Sequence, residues 1–388
     1  MATVYRGMAK ELLMENSSSS SSSSSSIFKV LDSSSISRCK QLVSSRLGLA
    51  FAASGNRVAR ISYKASMTDL PPPGKRRKLE DDNSSGVKDE ELDMNCRVLH
   101  EAKERYESAG ASERSDGKPL LGFANDRGLV RLMTYEKDID SLSICSELKM
   151  ECEINDSSWQ GVAFESYDDP SRLAVANERN RVVSIFDIEK ESRSRDMRTT
   201  FWPSCVVWGN NKCVFVTSQD TLNVFDPRNR TKNGLTHRLQ PFRGDNLFAV
   251  VSSGEKVMVA GRRGSVYLYD TRKWTLGYRW NAPVKYSVQS LLVSPRGDLT
   301  TYAVGTDYEL MCSGANVGHI IGKKKSAAGT HRSKLRLNHS TGLRGASRWL
   351  GASLVPHASK DEDTLLCLCE KGEFYCVRGA EKMNHAAA

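Results

Sequence analysis

Cys367, Cys369 and Cys376 are the tightest grouping of metal-capable residues in the sequence. Cys367 and Cys369 are two apart in Leu365-Leu366-Cys367-Leu368-Cys369, so on a strand they share one side, with Cys376 on the next strand. A thiolate site would need a fourth ligand, for which His357 or His385 is available. Cysteines on apolar strands are far commoner as small core fillers, and neither a metal nor any other cofactor is expected. No C-x-x-C spacing occurs among the ten cysteines, which argues against a zinc ribbon or a thioredoxin-like site and fits reduced thiols. The sequence also lacks G-x-S-x-G, a P-loop, H-E-x-x-H and a Gly-rich strand-to-helix turn. No catalytic residue is nominated, and the expectation is a protein that is not an enzyme.

Charge is the second source of chemistry. The chain has 388 residues, with 56 Lys+Arg against 46 Asp+Glu, a net charge of +10. The excess is local: Leu310 to Lys360 contains no acid but carries Lys323, Lys324, Lys325, Arg332, Lys334, Arg336, Arg344, Arg348 and Lys360. A basic loop over 319–344 suits neutralisation of phosphates, with Lys323 to Lys325, Arg332, Lys334 and Arg336 as contacts to RNA or another polyanion. Trp349 is the one aromatic of Leu310 to Lys360, so base stacking is weakly supported and backbone contact is the better form of the idea. A merely solvated loop is the equal alternative. A second cluster, Lys75, Arg76, Arg77 and Lys78 behind Pro71-Pro72-Pro73-Gly74, resembles a monopartite nuclear localisation signal. Prolines keep such a segment extended for an import receptor, against the bland reading of a solvated charge run. The expected location is the nucleus, with the cytoplasm left open. No membrane partner is expected, because the longest apolar stretch, Leu47 to Ala53, falls far short of the roughly 18 residues of a spanning helix.

The elements that must position these groups are strands. Ser17 to Ser26 is a run of serines with no capacity to bury surface, so 1–26 is expected to be disordered or to help close the fold. A second interruption, 67–117, carries nine basic and thirteen acidic residues and is expected to be a disordered loop with a short helix from Arg97 to Ser108. Elsewhere the pattern recurs. Val183-Ser184-Ile185-Phe186-Asp187, Leu222-Asn223-Val224-Phe225-Asp226 and Val266-Tyr267-Leu268-Tyr269-Asp270 each alternate with period two and end in an aromatic-Asp pair. Upstream of each lie two further strands: Trp159 to Phe164 and Arg172 to Ala176, Cys205 to Trp208 and Cys213 to Thr217, Leu247 to Val251 and Lys256 to Gly261. Matching strand ends fall near Tyr63, Thr134, Phe186, Phe225, Tyr269, Cys312 and Cys376, at spacings of 71, 52, 39, 44, 43 and 64 residues. Seven ends give seven blades of an all-β propeller, the long spacings holding the insertions.

From 27 to 378 the chain resembles the WD-repeat β-propeller family, with degenerate motifs: Phe-Asp and Tyr-Asp replace Trp-Asp, the opening Gly-His is missing, and Asp126, Asp220 and Asp307 match the tight-turn aspartate. The resemblance implies closure of the last blade by an N-terminal strand, for which Val4 to Leu13 or Ile27 to Leu31 is available, since the tail 379–388 is short and polar. A β-sandwich followed by a second all-β domain is the weaker alternative. Asp226-Pro227-Arg228 and Asp270-Thr271-Arg272 resemble the double motif by which some WD-repeat proteins dock onto the adaptor of cullin ubiquitin ligases. An arginine after a strand end offers a planar fork to a partner's carboxylates or carbonyls, although a basic residue there is also frequent in ordinary repeats. The leading expectation is a nuclear, non-enzymatic protein-interaction scaffold, in a nuclear RNA-protein or ribosome-assembly complex. The alternatives are a cullin-ligase substrate receptor docking through Arg228 and Arg272 and, from another class, an enzyme using the axial pocket of the ring.

Overall fold

The computed structural model describes residues 3–8, 42–45, 49–54, 56–64, 89–91, 93–150, 158–230, 233–297, 299–313, 342–355, 362–370 and 372–381. Their strands form seven antiparallel blades of a closed β-propeller. Strand β1 (Thr3–Met8) comes first in the chain but belongs to the last blade. Blade 1 holds β2 (Leu42–Ser44), β3 (Leu49–Ser54), β4 (Arg57–Lys64) and, beyond a short β5 (Asp89–Glu91), β6 (Asp93–Glu101). Blade 2 holds β7 (Tyr106–Glu113), β8 (Pro119–Asn125), β9 (Leu129–Glu136) and β10 (Ser141–Lys149). Blade 3 holds β11 (Gln160–Phe164), β12 (Arg172–Asn177), β13 (Val182–Asp187) and β14 (Ser192–Arg198). Blade 4 holds β15 (Pro203–Trp208), β16 (Val214–Ser218), β17 (Thr221–Phe225) and β18 (Leu235–Leu239). Blade 5 holds β19 (Leu247–Ser253), β20 (Lys256–Gly261), β21 (Val266–Asp270) and β22 (Thr275–Trp280). Blade 6 holds β23 (Val288–Val293), β24 (Thr301–Gly305), β25 (Glu309–Ser313) and β26 (Gly342–Arg344). Blade 7 holds β27 (Trp349–Leu354), β28 (Thr364–Cys369) and β29 (Glu373–Arg378), and β1 pairs antiparallel with β29 from Thr3 opposite Arg378 to Met8 opposite Glu373. On its other edge β1 pairs with β5 in parallel. The Val4 segment therefore closes the ring, while Ile27 to Leu31 lies outside the described residues.

All seven expected strand ends, from Tyr63 to Cys376, fall in the third strand of a blade. The period-two pattern has a more specific meaning than half-burial: it sorts side chains between two neighbouring blades. In β20, Val257 and Val259 pack into the core shared with blade 4, whereas Met258 and Ala260 pack into the core shared with blade 6. Central strands such as β16 and β17 are consequently buried along their whole length, while the peripheral β14 is mostly exposed. Each pair of adjacent blades encloses one hydrophobic cluster, including the pair formed by blades 7 and 1.

The helix expected from Arg97 to Ser108 does not form. Those residues are the end of β6 and the start of β7, and the insertion between strands is correspondingly shorter than 67–117. Strand β6 is the outermost of its blade, with Asn95 and Arg97 exposed and Cys96 buried, so its polar content disguised it as loop. At the other insertion, Gly342–Arg344 is strand β26, and 314–341 lies outside the described residues.

The antiparallel order fixes two faces. First-to-second and third-to-fourth connections emerge on one side, here the lower face; second-to-third turns and blade-to-blade connections emerge on the upper face. Removal of Met1–Met8 exposes the whole of β29 as an unpaired edge. At about 0.5–1.5 kcal/mol per hydrogen bond, the expected loss is roughly 3 kcal/mol or more, read as a lower urea midpoint; an unchanged midpoint would show that β1 does not close the ring.

Candidate interaction surfaces

Arg228 and Arg272 occupy equivalent turns on the lower face, each two residues beyond an aspartate at the end of a third strand. Asp226 Oδ1 accepts the Arg228 backbone N–H at 2.9 Å, and the Arg228 guanidinium turns back to donate to both oxygens of the same carboxylate. Asp270 repeats this with Arg272, whose backbone N–H donates at 3.0 Å, and adds Lys256 Nζ at 2.6 Å. Arg272 also pairs with Glu255. The aspartate of each aromatic-Asp pair thus caps its turn, as Asp187 does by accepting from the Lys190 backbone N–H at 3.0 Å. Both arginine side chains are nonetheless more than half exposed, at 57% and 61%. The structure therefore brings the four nominated residues together as two preorganised, outward-facing cationic turns on neighbouring blades.

The tight-turn aspartates divide. Asp220 accepts from Gln240 Nε2 and the Gly244 backbone N–H, and Asp307 from the Glu309 backbone N–H. In blade 2 the turn is held by Asn125, whose Oδ1 accepts from the backbone N–H groups of Arg127 and Leu129, so Asp126 is not the capping residue there.

The cysteines do not converge. Cys367 and Cys369 lie in the core between blades 6 and 7, whereas Cys376 lies in the core between blades 7 and 1, on the opposite side of the sheet. Antiparallel pairing sets Cys367 opposite Tyr375 and Leu366 opposite Cys376, and neighbours in register share a side. Burial pushes the Cys367 thiol well above its ordinary range and the Cys376 thiol up to about 12. Among the described residues no cluster of His, Cys, Asp and Glu could hold a metal ion, and His357 and His385 lie outside them.

Along the axis, Ser108, Trp159, Gly161, Val162, Cys205 and Phe248 are among the residues lining a narrow cavity with space for about one water molecule. No acid, histidine, lysine or arginine lines it. Glu107, beside Ser108 in the chain, has its carboxyl pushed up to about 7 by burial, opposed by Arg105, with which it pairs at 3.4 Å; it does not line the cavity.

Lys75 to Lys78 and the six nominated cations from Lys323 to Arg336 lie outside the described residues. Their attachment points are visible: one segment joins β4 to β5 and the other joins β25 to β26, both leaving the lower face. Trp349, the aromatic of the basic stretch, is fully buried between blades 6 and 7. The upper face carries residues that no sequence motif singled out, the exposed rings of Phe201, Trp202, Phe242, Tyr286 and Tyr308. They come from separate connections spread over a hundred residues, and no local spacing links them.

No protein-family model matches the chain, and no curated protein matches it significantly. Among solved structures it is similar to a chain of the crystal structure of a mitotic checkpoint complex, with a TM-score of 0.58 and 11% identity over 88% of this chain and 86% of that one. The likeness is one of fold.

The turn caps titrate in a defined direction. Its hydrogen bonds to Arg272 and Lys256 hold Asp270 far below the usual carboxylate range. Its stabilisation is complete above the unfolded carboxylate value of about 3.9 and is lost as pH falls through the lower folded value. Asp270→Asn is expected to cost about 2 kcal/mol at pH 7, with the difference from the parent protein shrinking below about pH 4. Chemical denaturation at pH 7 and pH 2.5 checks this, and a pH-independent difference would refute it.

Proposed function

We propose that the protein is a nuclear, non-enzymatic scaffold that holds partner proteins on the lower face of its propeller, within an RNA-protein or ribosome-assembly complex. The observation that carries this reading is the pair of equivalent arginine turns on blades 4 and 5. Arginine is enriched at interface hot spots, and a guanidinium already oriented by its own aspartate loses little freedom on docking. The tetrabasic Lys75 to Lys78 segment, which joins the ring on that same face, is the import signal, and the Lys323 to Arg336 segment contacts phosphates.

The same two turns favour a second reading, a substrate receptor of a cullin ubiquitin ligase. Affinity purification with and without ribonuclease separates them: ribosomal or RNA-bound partners lost on treatment support the first, and a cullin adaptor retained supports the second. In either case Arg228→Ala with Arg272→Ala is expected to reduce partner recovery at least fivefold, about 1 kcal/mol; recovery equal to the parent protein refutes lower-face docking. Replacing Lys75 to Lys78 by Ala in a fluorescent fusion is expected to shift the protein to the cytoplasm, and unchanged nuclear accumulation removes the import assignment.

A further inference from the structure

Every exposed aromatic side chain among the described residues lies on the upper face. Phe201 and Trp202 stand in the connection from β14 to β15, Phe242 between β18 and β19, Tyr286 between β22 and β23, and Tyr308 in the turn between β24 and β25. Their exposures run from 36% to 53%, a level at which large rings lose apolar burial with no return inside the fold. Three of them are flanked by cations. The Arg263 guanidinium lies 4.1 Å from the centre of the Phe242 ring, Lys285 Nζ 5.2 Å from that of Tyr286, and the Arg344 guanidinium 5.0 Å from that of Tyr308.

The charges on this face are segregated by depth. Arg181, Arg243, Arg262, Arg263 and Lys285 are exposed, while among the described residues no Asp or Glu in the upper connections from β12 to β27 is. The acids there are engaged in holding the loops. Asp245 is fully buried and accepts from the Arg263 backbone N–H and the Tyr267 hydroxyl. Asp220 holds Gln240 and Gly244, and Glu309, at the start of β25, accepts from the Lys285 backbone N–H and from Arg344. The most exposed groups there are flat rings interleaved with cations.

We propose that the upper face over blades 3 to 6 binds a single strand of nucleic acid, its bases stacking on the exposed rings and its phosphates paired with the arginines. Rings accept any base through their π-faces, and a positive surface tracks the backbone. Arginine serves both ends, since its planar fork matches phosphate and its face stacks on aromatic groups. An acidic polypeptide would satisfy the cations but offers the rings no row of planar groups. A duplex hides its bases, so it could use only the charges. This site differs in mode from the phosphate contact of Lys323 to Arg336, a segment whose flanking strands β25 and β26 meet it on the opposite face, and it does not depend on protein docking at Arg228 and Arg272; the readings fail separately.

The test is fluorescence anisotropy with the full-length chain and labelled uridine-rich RNA, the matching thymidine-rich DNA, a duplex of equal charge and a polyglutamate peptide. The expected result is salt-dependent binding of the single strands, weaker binding of the duplex and weakest of the peptide; whichever of RNA and DNA binds tighter names the source. Trp202→Ala with Tyr286→Ala should weaken single-strand binding at least tenfold with the salt slope unchanged. Arg243→Ala with Arg262→Ala should weaken it and flatten the slope. Trp202→Phe with Tyr286→Phe, which keeps the rings and guards against a folding artefact, should stay within about twofold of the parent. Affinity insensitive to the ring variants, affinity lost only when Lys323 to Lys325, Arg332, Lys334 and Arg336 are neutralised, or tighter binding of polyglutamate would each overturn the proposal.

Discussion

Six residue pairs between β1 and β29 join the first described strand to the last, across the ring's closing seam. A blade cannot bury both of its faces by itself; it needs a neighbour on each side. In an open arc, the outer faces of the first and last blades would leave Ala50, Ala52 and Ile61 on one side, and Leu366, Leu368 and Phe374 on the other, without the cluster they now share. Closure converts two exposed sheets into a seventh interface equivalent to the other six. Ser44 adds a polar contact across that seam, with its Oγ donating to the Leu354 carbonyl oxygen at 2.7 Å.

Polar contacts also join neighbouring blades. Asp363, almost fully buried, accepts from the Tyr302 hydroxyl at 2.8 Å and from Ser294 Oγ at 2.9 Å, joining blades 6 and 7. Arg195 of blade 3 donates to the carbonyl oxygens of Pro227 and Asn229, both at 2.6 Å, and so fixes the very turn that presents Arg228. Arg60 of blade 1 donates to Asp140 of blade 2 at 2.5 Å, and Tyr135 donates to the same carboxylate oxygen. Such contacts set the angle between blades, which apolar packing alone leaves loosely specified. They also couple the ring to its faces, since a loop tied to the next blade cannot move independently.

The charged and aromatic groups of the described residues gather on the two faces, and these differ. The lower face carries the twin arginine turns and the attachment points of both basic segments. The upper face carries the exposed aromatics among cations. This division follows from strand direction: within a blade, successive connections alternate between faces.

Much of the fold was legible because its signals are local. Phe186, Phe225 and Tyr269 mark strand ends, the alternation beside them marks the strands, and the run of spacings near forty residues marks the repeat. Strand β6 was not legible, because a peripheral strand with one solvated side resembles a charged loop. Cys376 was grouped with Cys367 and Cys369 by proximity in sequence, yet hydrogen-bond register places it on the other side of the sheet. The arginine turns were legible as residues, but their pairing to Asp226 and Asp270 and their outward orientation were not. The upper-face aromatics were invisible as a group: from Phe201 to Tyr308 they occur in four separate connections, each unremarkable alone. The sequence by itself determined the strands, their period and the number of blades, since alternation and turn chemistry act over a few residues. Only the tertiary structure decided which strand closes the ring, which side each cysteine faces and which loops share a surface, because these depend on contacts between residues far apart in the chain.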